Sequence, residues 1–158
     1  MEISRRTDYG VRVLLELASL AAGERASTQE VAARQSIPGP FLAKIISQLS
    51  VAGLVTTYRG AGGGVMLARP ASEISLLDVI EALEGPIQLN RCVIEPNVCP
   101  RENKCPVHDV WARAQANLVH MLSETTFAQL SGGANEAPVV APIVLAETFA
   151  PQAPVPQG

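Results

Sequence analysis

Three cysteines and one histidine lie close together in one short stretch of this chain, and these residue types can hold a soft metal. The stretch runs from Cys92 to His108, and it contains every cysteine of the chain: Cys92, Cys99 and Cys105. Prolines within it prevent a continuous helix, so the sequence predicts an irregular loop of short turns. Thiolates gathered on such a loop suit a transition metal or an iron–sulfur cluster. We call residues 86–106 the cysteine loop and interpret it as a candidate sensor.

The spacing of the cysteines bears on which group they would hold. Six residues separate Cys92 from Cys99, and five separate Cys99 from Cys105. Structural zinc ligands usually come in close pairs such as Cys-x2-Cys, so the wider spacing favours a larger cluster. Zinc and a metal-free thiol sensor remain as alternatives. An odd number of cysteines, all in one loop, argues against a disulfide framework, and a reducing compartment favours metal binding instead.

The composition is that of one globular domain with appendages. The chain has 158 residues, of which 47% are hydrophobic and 17% charged. We expect a cytoplasmic protein, because no apolar run is long enough to span a membrane and the N-terminus lacks the apolar core of a signal peptide. Residues 1–70 carry eight Lys and Arg against five Asp and Glu, whereas the remainder carries four against ten. This asymmetry suggests that the N-terminal half meets a polyanion, although a merely solvated surface explains it as well.

Two short helices with a tight turn between them are predicted after a first helix over residues 5–22. The first of the two opens at Ser27 and Glu30, which match the Ser-x-x-Glu capping box. The second is expected from Pro40 to about Val51, after a proline-rich turn. Its apolar positions recur at helical spacing and predict an inward face: Leu42, Ile45, Ile46 and Leu49. The outward positions are small, polar or basic, which makes the pair a helix-turn-helix candidate, with a helical hairpin in a core as the alternative.

A glycine-rich turn between two strand-like segments follows the helices. Residues 54–58 and 65–68 predict a β-hairpin, and residues 59–64 read Arg-Gly-Ala-Gly-Gly-Gly. A nucleotide-binding loop is excluded, because the run lacks a Gly-Lys-Ser/Thr ending and lies between two strands. A helix-turn-helix followed by a hairpin is the order of a winged helix. The glycines would let the backbone approach DNA, with Arg59 entering a minor groove or contacting a phosphate.

The C-terminal half predicts a helix from Ser75 to Gly85, the cysteine loop, and a longer helix over about residues 106–122. Five positions of the longer helix repeat at heptad spacing: Val107, Trp111, Ala114, Leu118 and Met121. This seam could close a core, but we favour packing against a second copy, because helix-turn-helix proteins commonly read two half-sites. Residues 126–130 predict a last turn that packs back. Residues 132–158 contain no Lys or Arg and many prolines and alanines, and they predict a disordered tail.

The combined order of these motifs resembles the Rrf-two family of bacterial transcription regulators, which includes the iron–sulfur cluster assembly regulator and the nitric-oxide-sensing repressor. The resemblance covers about residues 1–131. Residues 5–12, residues 45–55 and the wing are similar to the nitric-oxide-sensing branch. Residues 105–111, Cys-Pro-Val-His-Asp-Val-Trp, are more similar to the cluster assembly regulator.

The resemblance implies a mainly α fold with a small β-hairpin, in which a winged helix-turn-helix precedes a long C-terminal dimerisation helix. It also implies a homodimer and an iron–sulfur cluster held by Cys92, Cys99 and Cys105. In this family, the fourth ligand of the cluster is one of two residue types. His108 matches the histidine of a 2Fe–2S site, and Asp8 matches an aspartate that completes a 4Fe–4S site from the partner subunit. The first cysteine spacing is one residue longer than in the cluster assembly regulator.

From these observations we predict a sequence-specific DNA-binding regulator, in the first instance a repressor, whose DNA affinity is set by a cluster that senses nitric oxide, iron or redox state. A regulator with a structural zinc or metal-free thiol site is the alternative, followed by a cluster-carrying redox protein. An enzyme is not expected, because the sequence offers no nucleophile–base constellation.

The predicted domains are residues 1–85 (winged helix-turn-helix), 86–106 (cysteine loop), 107–131 (dimerisation helix and terminal turn) and 132–158 (tail). The predicted DNA contacts are Arg5, Arg6, Thr28, Pro40, Phe41, Lys44, Gln48, Arg59 and Gly60.

Overall fold

The computed structural model describes residues 3–21, 23–95, 97–101 and 104–132. It is mainly helical with one antiparallel hairpin, as predicted. The elements in chain order are α1 (Arg5–Ala18), α2 (Thr28–Gln35), α3 (Gly39–Val51), β1 (Val55–Tyr58), β2 (Gly64–Leu67), α4 (Leu76–Glu84), α5 (His108–Glu124) and α6 (Phe127–Ser131). Short 3-10 turns lie at Ala71–Glu73 and Arg91–Val93. The predicted tail lies outside the described residues from residue 133 onward.

The first helix is shorter than the periodicity suggested. It begins after Ser4, whose hydroxyl accepts a hydrogen bond from the Thr7 N–H, and it ends at Ala18 instead of residue 22. The chain leaves the helix at Ser19, whose hydroxyl donates to the Glu16 carbonyl at 2.7 Å. A serine hydroxyl that bonds to the backbone in this way competes with the hydrogen bonds that would continue the helix. The spacing of the apolar residues alone does not predict this end.

The helix-turn-helix forms as predicted. Ser27 and Glu30 make both hydrogen bonds of the capping box at the start of α2. Ser36 ends the helix in the left-handed region with a φ of 54°, and the turn leads into α3 with a proline in its first turn. The four predicted inward side chains of α3 are all buried, which confirms the assigned face: Leu42, Ile45, Ile46 and Leu49.

The wing is a two-stranded antiparallel hairpin in which Val55 pairs with Leu67 and Tyr58 pairs with Gly64. It is attached to the helices along one edge by a bridge between Ala26 and Val65. The Ala26 N–H donates to the Val65 carbonyl at 3.1 Å, and the Val65 N–H donates to the Ala26 carbonyl at 2.8 Å. The segment between α1 and α2 is therefore tied to β2 by a bridge of one residue pair.

One apolar core joins α1, α3, α4, the wing and α6. Phe127 of α6 is fully buried in it, so the last turn packs back as predicted. The Leu76 N–H donates to the Thr125 carbonyl at 2.8 Å, and the Phe127 N–H donates to the Ile74 carbonyl at 2.9 Å. Gly10 allows α1 and α4 to approach closely, because a Cβ there would overlap Leu83. The C-terminal turn thus completes the core of the winged domain.

Helix α5 differs from the other long helices, because none of its described residues is buried. It packs on α4 and on the 3-10 turn Arg91–Val93. Four large apolar side chains on or next to it remain open to solvent, with Val110 at 57%, Val107 at 49%, Trp111 at 42% and Met121 at 39% exposure. Within the described residues, no helix is long and apolar enough to cross a membrane.

Candidate DNA-binding face and cysteine loop

The outward face of α3 presents most of the predicted DNA contacts to solvent. Phe41 is 57% exposed, Pro40 and Lys44 are exposed, and Gln48 is half-buried. Arg6 of α1 lines the same groove as Phe41, Lys44 and Gln48. The fold therefore brings together residues separated by about forty positions in the sequence. A groove that mixes aromatic, amide and cationic side chains suits contact with both base edges and phosphates.

The predicted cationic contacts are exposed, and Arg6 acts on a carboxylate only at longer range: hydrogen bonds from Thr7 and Ser4, followed by the charge of Arg6, lower the pKa of Glu84. Among the described residues, none forms an ion pair with Arg5, Arg6, Lys44 or Arg59. By contrast, Arg34 on the neighbouring helix α2 contacts Glu16 at 2.8 Å. This ion pair lowers the pKa of Glu16, chiefly through the hydrogen bond from Arg34. Cations that are not neutralised within the protein are available to phosphates.

The wing places Arg59 and Gly60 at its exposed tip. The turn is closed by a hydrogen bond from the Gly63 N–H to the Gly60 carbonyl at 2.9 Å. Thr28, the remaining predicted contact, is the exposed first residue of α2. One further residue beside the wing was not predicted. The guanidinium of Arg25 stacks on the Tyr58 ring, and its only sequence signal is a positive charge before the capping box.

The three thiols of the cysteine loop are free and half-buried. Cys92 lies in the 3-10 turn Arg91–Val93, Cys99 lies among bends, and Cys105 lies three residues before α5. The donor types suit a soft metal, but within the described residues no group of three or more Cys, His, Asp or Glu is arranged to hold one. The loop therefore carries suitable donor types, but within the described residues they are not grouped so as to hold a metal ion.

His108, one of the two predicted fourth ligands, is the first residue of α5 and contacts the loop. Its Nε2 lies 3.1 Å from the Cys92 carbonyl, and its Nδ1 lies 3.5 Å from the Asp109 carboxylate. The start of α5 is thereby tied to the turn that carries Cys92. Asp8, the other predicted ligand, lies in the first turn of α1 and contacts Arg12 at 2.7 Å with its side chain about half exposed.

Two polar contacts anchor the cysteine loop and its approach to the helices. The Leu89 N–H donates to Gln115 Oε1 of α5 at 3.0 Å. Just before the loop, Glu84 at the end of α4 accepts a hydrogen bond from the Ser4 N–H at 2.9 Å. Ser4 directly precedes Arg5 and Arg6. Glu84 and Gln115 were not predicted from the sequence, because Glu84 accepts from a residue 80 positions away and Gln115 from one 26 positions away.

Comparison with known proteins agrees with this architecture. The family model Rrf2, described as an iron-dependent transcriptional regulator, matches residues 3–132. A protein of Mycobacterium tuberculosis named as an HTH-type transcriptional regulator is 37% identical over 134 residues, which cover 85% of this chain and 83% of that protein. The protein rrf2 of Nitratidesulfovibrio vulgaris is 34% identical over 138 residues, covering 87% and 92% of the two chains.

Two solved structures illustrate the range of similar regulators. CymR, the global cysteine regulator of B. subtilis, superposes with a TM-score of 0.69 at 28% identity, covering 84% of this chain and 97% of CymR. IscR of T. potens superposes with a TM-score of 0.65 at 28% identity, covering 82% and 85%. The family and these neighbours are transcriptional regulators and not enzymes. The protein therefore belongs to the Rrf2 family of DNA-binding, winged-helix transcriptional regulators.

Proposed function

We propose that this protein is a homodimeric, cytoplasmic repressor that binds operator DNA through α3 and the wing, and whose affinity is set by an iron–sulfur cluster in the cysteine loop. The observation that carries the DNA-binding part is the α3 groove. It combines exposed Phe41 with the exposed cations Arg6 and Lys44 on one face. Phosphate contacts from Arg5, Arg6 and Arg59 fix the orientation, and side chains of α3 read base edges.

The proposal of a homodimer is supported by the exposed apolar side of α5. Trp111 and Met121 belong to the heptad seam and are 42% and 39% exposed. An apolar seam of this length is too short to act alone, but a second copy of α5 would bury it. A two-fold dimer presents two α3 helices to half-sites about 34 Å apart on the same side of the duplex.

The proposed cluster is held by Cys92, Cys99 and Cys105 with a fourth ligand of a different type. His108 is the candidate from the same chain, and its contact with the Cys92 carbonyl keeps the ring beside the loop. Asp8 of the partner subunit is the other candidate. Three thiolates with one weaker ligand make a cluster easier to oxidise or nitrosylate than four thiolates, which suits sensing of nitric oxide, iron supply or redox state.

The link from the loop to DNA rests on the two anchoring contacts. Gln115 connects the loop to α5, and Glu84 connects the end of α4 to the N-terminus of α1. A cluster that orders the loop would therefore act on the dimer helix at one end and on Arg5 and Arg6 at the other. Such a change shifts the protein between two conformations that differ in their affinity for DNA.

The experiment is an anaerobic titration of an operator duplex with cluster-loaded and cluster-free protein. Iron and sulfide are quantified in both preparations, and the operator is selected from random-sequence DNA by the wild-type protein. We expect different affinities for the two forms, and a return to the cluster-free affinity after exposure to nitric oxide. Equal affinities would contradict control by the cluster, while the absence of operator binding in both forms would contradict the DNA-binding face.

A cluster-free regulator is the second candidate. It is favoured by the lack of a metal-binding group among the described residues and by the similarity to the cysteine regulator CymR. In this case the thiols would respond directly. A structural zinc site is a further alternative, which the lack of a metal-binding group among the described residues does not favour. Iron analysis separates the candidates, because an iron-free, colourless preparation from anaerobic cells that retains full operator binding supports the second one.

A further inference from the structure

Arg25 makes an unusual set of contacts beside the wing. Its guanidinium carbon lies 3.8 Å from the centre of the Tyr58 ring, which is within the distance of a cation–π contact. Its NH1 donates to the carbonyl of Gly62 in the turn at 3.5 Å. One side chain therefore contacts both β1 and the glycine-rich tip of the hairpin.

The backbone fixes Arg25 in this position. Ala26, the next residue, forms the two-hydrogen-bond bridge with Val65 that attaches β2 to the helices. Gly64, the sheet partner of Tyr58, has no side chain to block the contact, and a Cβ there would lie 3.4 Å from the Arg25 Cβ and 2.6 Å from the Ala26 carbonyl oxygen. With a φ of +155°, Gly64 is also difficult to replace. The geometry thus directs Arg25 across the sheet towards Tyr58.

The wing has few other means of holding its tip in place. A two-stranded hairpin is marginally stable without further packing, and glycines in the turn have the largest conformational freedom to lose. The hydrogen bond from Gly63 to Gly60 closes the turn on itself but does not connect it to the rest of the domain. The Arg25 side chain supplies a connection from the body of the domain to the tip that carries Arg59.

We propose that Arg25 is a positioning residue for DNA binding, which orders the wing tip through Tyr58 and Gly62 before DNA arrives. This inference rests on the proposed contact of the wing with DNA. Ordering a loop in advance strengthens binding, because less conformational entropy is lost in the complex. Arg25 then acts through Arg59 and Gly60, without itself contacting a phosphate.

The first test needs no DNA. Amide hydrogen exchange at residues 60–63 is measured in the full-length wild type and in Arg25→Ala, Tyr58→Leu and Tyr58→Phe. We expect faster exchange at the tip in Arg25→Ala and Tyr58→Leu, and wild-type exchange in Tyr58→Phe, which keeps the ring. Unchanged exchange in Arg25→Ala overturns the positioning role.

The second test measures affinity for the selected operator over a range of salt concentrations. We expect Arg25→Ala and Tyr58→Leu each to weaken binding about two- to fivefold, and the double variant to be no weaker than the worse single one. The slope of log K against log salt should stay at the wild-type value in both single variants. A slope reduced by about one in Arg25→Ala, with additive losses in the double variant, would indicate a phosphate contact and overturn the inference.

Two controls separate this inference from the function it rests on. Arg59→Ala reports on the wing contact itself: if it leaves affinity unchanged, the wing contact fails, whatever Arg25 does. If Arg59→Ala weakens binding and Arg25→Ala does not, only the positioning role fails. Arg113→Ala removes one exposed charge from α5 and should bind as the wild type does. All variants should unfold at the wild-type temperature, and a lower midpoint in Arg25→Ala that accounts for its loss of affinity also overturns the inference.

Discussion

The winged domain and the cysteine loop are stabilised in opposite ways. In the winged domain, side chains such as Leu14, Leu49 and Phe127 are fully buried, and the helices α2, α4 and α6 all begin with a capping box. In the described part of the cysteine loop, only Ile87 is buried, and the cysteines are half exposed. The domain that reads DNA is built by apolar burial, whereas the loop depends on a few polar contacts.

This difference suggests what each region is suited to do. A closely packed core holds α3 itself in one conformation through its buried face. A loop with little buried apolar surface has little folding energy of its own, so a bound group can supply much of the energy that orders it. The same difference makes the loop, and not the core, the natural place for a switch.

The largest effect should come from the core of the winged domain. Leu49→Ala removes a fully buried side chain from α3, and we expect it to lower the free energy of unfolding by about 2–5 kcal/mol. Denaturant titration measures the change. Val51→Ala on the same helix, where Val51 is 88% exposed, is the matched control and should stay within about 0.5 kcal/mol of the wild type. Equal losses in the two variants would contradict the assigned core.

The next effect concerns the fourth ligand of the proposed cluster. His108→Ala or Asp8→Ala should weaken cluster retention at least about tenfold, depending on which residue is the ligand. Iron and sulfide content with absorbance spectra of anaerobic protein measure this.

Each ligand variant has a control on its own helix. His120→Ala removes the other histidine of α5, which is 69% exposed. Arg12→Ala breaks the ion pair with Asp8 but keeps the carboxylate. Full retention of iron in both ligand variants would exclude both candidates and indicate that the cluster does not need either residue as its fourth ligand.

A smaller effect is expected from one cation on the DNA-binding face. Lys44→Ala removes an exposed charge from α3, and we expect the slope of log K against log salt to fall in magnitude by about one, with similar weakening on all DNA sequences. Fluorescence anisotropy at several salt concentrations measures it. Lys104→Ala removes an exposed charge from the cysteine loop instead and should keep the wild-type slope. An unchanged slope in Lys44→Ala would remove Lys44 from the interface.

The smallest effect concerns the contact between α1 and α2. Hydrogen bonding from Arg34, together with that from Gln35, holds the pKa of Glu16 below its ordinary value of 4.5. A lowered pKa stabilises the fold above the ordinary value, and this contribution is lost as the pH falls through the lowered pKa. At neutral pH we expect Glu16→Gln to cost less than about 1 kcal/mol, because Arg34 is largely exposed to solvent.

Denaturant titrations between about pH 6 and about pH 3 test this sign. The wild type should lose more stability than Glu16→Gln over that range, so the two curves should converge at the acidic end. A difference that widens towards acid would show that the sign is wrong. The control at neutral pH is Glu81→Gln, which removes one carboxylate from the exposed side of α4.

Much of the winged domain could be predicted from the sequence, because its signals are local. The capping boxes at Ser27 and Ser75, the buried spacing of α3 and the glycine-rich turn each involve residues within a few positions of one another. Local signals also suggested the chemistry of the cysteine loop, but they could not predict the arrangement of its thiols. The loop has no periodic pattern, so its path is set by contacts with distant residues, and these cannot be read from the sequence.

The sequence by itself determined the order of the elements, the buried face of α3 and the residue types available for metal and DNA. Only the tertiary structure decided which distant residues meet. It brings Arg6 to the α3 groove, Glu84 to Ser4 and Arg25 to Tyr58. These contacts depend on how closely packed helices and strands cross, and the crossing is set by the whole core and not by any short segment.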